Sequence, residues 1–69
     1  MVEKRILRTV EAATYVGLSP STLEKKRLVG NGPRFVRIGG RAVGYDIRDL
    51  DEWLDEQRAE TEGDPRNAA

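Results

Sequence analysis

The chain has 69 residues, 38% of them hydrophobic and 35% charged, which suffices for one small core and no second domain. Cys and His are both absent, which excludes disulfide frameworks, zinc fingers, Cys–His nucleophiles and histidine acid–base chemistry. Lys plus Arg and Asp plus Glu each number 12, yet residues 1–45 hold nine bases and three acids (+6) while residues 46–69 hold three bases and nine acids (−6), a polarity that suits a polyanion-binding face backed by an acidic face or tail.

Along Met1–Val10, which carries Glu3, Lys4, Arg5 and Arg8, there is no apolar run of signal-peptide type, and nowhere does the chain approach the about 20 apolar residues of a membrane span. A cytoplasmic protein without a membrane partner is expected. Thr9 is expected to cap a helix over about 10–16, with Val10, Ala13 and Val16 as its apolar stripe and Gly17 as a left-handed C-cap. Ser19-Pro20 restarts a helix, a hydroxyl N-cap before proline at the first helical position, and Gly30 stops it. Two helices joined by so short a glycine-containing turn make a helix-turn-helix.

Gly30-Asn31-Gly32-Pro33 is a loop by composition. Residues 35–38 and 41–45 flank Gly39-Gly40 as a hairpin with a two-residue turn. Pairing Ile38 with Arg41 would put Val36, Ile38, Val43 and Tyr45 on the inward face and Arg37, Ala42 and Phe35 outward. Asp46 caps a last helix over about 47–59, with Ile47, Leu50, Trp53 and Leu54 as its stripe. The fold class expected is α+β: helix-turn-helix, two-stranded wing, C-terminal helix. Residues 1–60 form the domain and residues 61–69 a disordered tail, broken by Gly63-Asp64-Pro65.

Val10-Glu11-Ala12-Ala13 followed by Gly17-Leu18-Ser19-Pro20-Ser21-Thr22-Leu23 resembles the helix-turn-helix of excisionase/AlpA-like DNA-binding proteins, small winged relatives of the MerR superfamily. Residues 36–45 resemble the family's wing, and Asp49-Leu50-Asp51-Glu52-Trp53-Leu54 its closing helix. The resemblance covers about residues 7–58. It implies a phage, prophage or mobile-element protein that binds duplex DNA, either as an excisionase-type directionality factor in DNA recombination and excision or as a small transcriptional regulator. Lys26 departs from the pattern, standing where an aromatic or aliphatic residue is usual; its stem can lie on the core while its ammonium extends to DNA.

The second helix of a helix-turn-helix points its N-terminal part at base edges in the major groove. Ser21, Thr22, Lys25, Lys26 and Arg27 are the candidate contacts there. No Arg, Asn or Gln lies between Pro20 and Lys26, so the strongest bidentate base readers are missing from this part. Arg34 and Arg37 can follow phosphates along the wing, and Arg41 at its tip can enter a minor groove or clamp the backbone. A solvated basic face and a charged ribbon that resists edge-to-edge pairing are the plainer readings of the same residues.

The carboxylate pairs Asp51/Asp55 and Asp49/Glu52 read as a solvated helix face rather than as acid–base or metal pairs, so no enzyme activity and no cofactor are expected. The expected partners are double-stranded DNA, a recombinase/integrase or RNA polymerase meeting the acidic helix, and further copies associating head-to-tail on DNA. The opposing reading is a protein-interaction adaptor that kept the fold without DNA binding.

Overall fold

The computed structural model describes residues 5–63 and residue 66. The N-terminal four residues of the expected domain and most of its expected tail lie outside the described residues. The elements follow as β1 (Ile6–Arg8), α1 (Thr9–Val16), α2 (Pro20–Val29), β2 (Val36–Ile38), β3 (Ala42–Asp46) and α3 (Ile47–Glu62). The three strands form one antiparallel sheet in the order β1-β3-β2. With its helix-turn-helix, hairpin and closing helix, the architecture is the α+β winged helix-turn-helix, and β1 adds a third strand to the wing sheet.

The cap of α1 differs from expectation. Thr9 lies inside the helix, and Arg8 is the N-cap without a side-chain bond. β1 runs straight into α1, and Thr9 Oγ1 instead accepts from Arg27 Nη1 at 3.5 Å. Val10 is 64% exposed, whereas Ala12 and Ala13 are fully buried, because two methyl-sized side chains let α1 sit close to its neighbours. Gly17 ends α1 at φ +80°, and the Leu18 N–H bonds the Ala13 carbonyl at 2.8 Å. A left-handed residue is needed to reverse the chain within three residues, which favours glycine there.

Helix α2 starts as read: Ser19 Oγ accepts from the Thr22 N–H at 3.2 Å and Pro20 opens the helix. Its one buried side chain is Leu23, which joins Leu7, Ala12, Ala13, Tyr45 and Leu50 in the core. Helix α3 buries Leu50 and Trp53 and has Asp46 as its N-cap. It runs three residues beyond the expected end at Ala59, which removes Thr61 and Glu62 from the tail. An Arg58–Glu62 ion pair one turn apart and the Thr61 hydroxyl bonded to the Gln57 carbonyl stabilise this last turn,.

The hairpin register is shifted by one residue from the sequence reading. Ile38 pairs with Ala42, Arg37 with Val43 and Val36 with Gly44, so Gly39-Gly40-Arg41 form a three-residue loop. A one-residue shift exchanges the faces. Arg37 joins Val43 and Tyr45 on the helix side, while Val36 and Ile38, 41% and 42% exposed, turn to the outer face. Phe35 lies 6.4 Å from the Tyr45 ring, centroid to centroid, rather than outward. The outer face explains the register. A β-carbon at Gly44 would sit 2.5 Å from both Ile6 Cγ2 and Ile38 Cδ1, so these side chains close over Gly44 and any larger residue there would have to displace them.

Asp46 ties the sheet to α3. Its carboxylate accepts from the Arg48 N–H at 2.9 Å and from Arg5 Nε at 2.8 Å, and pairs with Arg48 Nη2 at 3.3 Å. The Ile47 N–H also bonds the Arg5 carbonyl at 3.0 Å. The Arg48 guanidinium, then the Arg48 N–H and Arg5, hold the Asp46 carboxyl well below the usual carboxylate range. The folded-state value lies below the unfolded one, so the stabilisation is full above about pH 5 and falls as the pH drops towards the folded value. Asp46→Asn should flatten the acid limb of a circular-dichroism pH titration below about pH 4; an acid limb identical to wild type would show that other carboxylates govern acid unfolding.

Candidate nucleic-acid interface

Helix α2 and the segment leading into β2 place their cations on one side. Thr22, Lys25 and Lys26 line a cleft with Val29 and Asn31. Lys26 also lines the adjoining cleft, of ≈ 360 Å³, together with Arg27, Arg34 and Phe35. The two clefts therefore make one cationic strip that turns at Lys26. The Lys26 stem packs across the loop, its Cβ 3.0 Å from where a Gly32 β-carbon would stand. Lys26 is half-buried there and lines both clefts.

Arg27 is half-buried and directed. Its Nη1 donates to the Tyr45 hydroxyl at 3.2 Å and reaches Thr9 Oγ1, and its Cζ stands 5.9 Å from the Phe35 ring centroid. Arg37 Cζ is also 5.9 Å from that centroid, so β2 delivers a second guanidinium to the same ring. Among the described residues the ion pairs engage Arg5, Arg48 and Arg58, and none engages Lys25, Lys26, Arg27, Arg34 or Arg37. Lys26 and Arg27 in the last turn of α2 are favoured by the helix dipole,.

The remaining candidates are placed differently. Ser21 is exposed in the first turn of α2, and Arg41 is exposed in the hairpin loop; neither lines the two clefts. The Thr22 hydroxyl lies 2.8 Å from Ser19 Oγ, so part of its bonding capacity serves the cap. Phe35 and Tyr45, which orient the arginines, were missed as site residues by sequence reasoning. The signal was there in Arg34-Phe35-Val36-Arg37, an aromatic residue flanked by cations that the wrong register pointed away from the helices.

The acids of α3 border the strip at Arg34. Asp49, Glu52 and Glu56 line a third cleft of ≈ 170 Å³ with Trp53, and this cleft shares Gly32, Pro33 and Arg34 with that of Lys26 and Arg27; the Trp53 indole N–H donates to the Asn31 carbonyl at 3.3 Å. Asp51 accepts from the Tyr15 hydroxyl at 2.6 Å, a bond that joins α1 to α3 and raises the Tyr15 hydroxyl above its ordinary range. No helix among the described residues is long and apolar enough to cross a membrane.

The family model described as prophage CP4-57 regulatory protein (AlpA) matches residues 5–59. The chain belongs to the AlpA family. It is thus a small, phage-associated DNA-binding regulator, and the match spans all of the structure from Arg5 to Ala59, cationic strip included. No curated protein matches the chain.

Proposed function

We propose that this AlpA-family protein binds duplex DNA sequence-specifically, without catalytic activity, as a single cytoplasmic domain. The start of α2 enters the major groove and the hairpin lies on the adjacent backbone or minor groove. The observation that carries the reading is the strip from Thr22 and Lys25, through Lys26, to Arg27 and Arg34, with Arg37 beside it at the Phe35 ring. A major groove about 12 Å wide admits a helix such as α2. Ser21 and Lys25, free of cap duties, are the residues to read base edges. Lys26, Arg27, Arg34 and Arg37 neutralise phosphates, and Arg41 reaches the groove beyond the hairpin tip.

With about four to six phosphate contacts, the log–log dependence of affinity on salt should have a slope of roughly −4 to −5. Fluorescence anisotropy with labelled duplexes measures it. A slope near zero, or equal affinity for duplex and free nucleotides, would refute DNA binding and favour the adaptor reading.

Transcriptional regulation is the role the family's description favours. Excisionase-type direction of a recombinase is the second reading, supported by the acidic α3 surface around Asp49, Glu52 and Glu56, which suits a basic partner such as a recombinase or polymerase. A promoter reporter and an excision assay run with the same protein separate the two. Head-to-tail association on tandem sites would use the same acidic helix. Asp55 is the residue to reverse in testing it, because Asp51 is bonded to Tyr15.

A further inference from the structure

We infer that Arg27 and Arg37, held around the Phe35 ring, form a phosphate clamp that seats one backbone phosphate of the bound duplex, with Phe35 as its positioning residue. The inference rests on the DNA-binding reading and deepens it. Two guanidiniums stand at equal distance, 5.9 Å, from one ring. One comes from α2 and the other from β2, so the clamp is assembled only by the folded packing of wing against helix. Arg34, the residue preceding the ring, lines the cleft of Lys26 and Arg27 and also the acidic cleft of Asp49, Glu52 and Glu56, and stands outside the clamp.

Bringing like charges together is unfavourable unless something offsets the repulsion. Among the described residues no carboxylate forms an ion pair with either arginine. The ring's negative face offsets part of the cost. The Tyr45 hydroxyl, on a fully buried residue, fixes Arg27 by accepting from Nη1. That leaves the Nη2 and Nε donors of Arg27 for a ligand. A tetrahedral dianionic or monoanionic phosphate oxygen set is the ligand such a planar, multiply donating group recognises. The ring replaces the conformational freedom of two long side chains with a fixed geometry, so less entropy is lost when the phosphate arrives.

The test compares wild type, Phe35→Leu and Phe35→Trp in duplex titrations over a salt series, with thermal melting to establish folding. It adds an NMR titration with inorganic phosphate. Folded Phe35→Leu should bind every duplex about five- to tenfold more weakly, with a salt slope shallower by about one. Phe35→Trp should retain both affinity and slope, which a purely structural role for the ring would not require. Inorganic phosphate should shift the amides of Arg27, Phe35 and Arg37 in wild type and Phe35→Trp, and not in Phe35→Leu.

Equal affinity and slope for wild type and folded Phe35→Leu would overturn the clamp while leaving DNA binding intact. Should Phe35→Leu not fold, the wild-type phosphate titration decides: shifts confined to those three amides uphold the clamp, and shifts elsewhere or none overturn it. Failure of wild type to bind duplex would instead remove the underlying reading, and the phosphate titration would still judge the clamp on its own.

Discussion

Leu23→Ala is expected to lower the melting temperature by about 10 °C or more, and to leave much of the protein unfolded at 37 °C. Leu23 is fully buried and is the one side chain by which α2 enters the core. Truncating a buried leucine costs about 2–5 kcal/mol. A chain of this length has a total stability of only about 3–10 kcal/mol, and each kcal/mol moves the midpoint of such a small domain by about 4–8 °C. The remaining attachments of α2 include its two caps, the Arg27 bonds to Tyr45 and Thr9 and the Arg27 contact with the Phe35 ring, which together do not replace an aliphatic anchor. A melting curve within a few degrees of wild type would show that α2 is held mainly by its polar contacts.

The second large effect is on binding. Lys25→Glu combined with Arg34→Glu should weaken duplex binding at least about a hundredfold, since each charge-assisted contact contributes about 1.5–3 kcal/mol. The salt slope should become shallower by about one, for the phosphate contact of Arg34. One residue lies in each cleft of the strip, and both are exposed, so folding should be unaffected by the exchange. Melting temperature serves as the control. Undiminished affinity in the folded double variant would place the DNA on another surface, with the acidic cleft at Trp53 excluded by its charge.

The capped elements were legible in the sequence because their signals are local. Ser19-Pro20, Asp46 and the glycines after α1 and α2 each fix a terminus through one or two bonds, and the Leu50 and Trp53 spacing gives the buried stripe of α3. Strand β1 was not legible. Three residues are too few to show alternation, and Ile6–Arg8 becomes a strand only because β3 is there to pair with it. The hairpin register failed for a related reason. A glycine pair admits either a two- or a three-residue loop, and the choice is made by the contact of Ile6 and Ile38 over Gly44, which joins residues far apart in the chain.

The candidate site was legible as a list of cations but not as an arrangement. Charge on α2 and on the hairpin marked Lys25, Lys26, Arg34 and Arg37 directly. That Arg27 would turn inward to Tyr45, and that Phe35 would collect two guanidiniums, depends on the register and on the buried hydroxyl of Tyr45. Neither follows from spacing. Thr9 illustrates the same point: a good capping residue by type, it serves Arg27 instead of the helix start.

The closure of Ile6 and Ile38 across Gly44 makes the hairpin, which we propose lies on DNA, depend on a segment lying before the first helix. Anything that pulls Ile6 away, such as a bulky fusion at that end or a protein docking there, would loosen the ribbon's grip without touching a single cation. The first strand thereby offers a handle through which events remote from the nucleic acid can tune how firmly it is held.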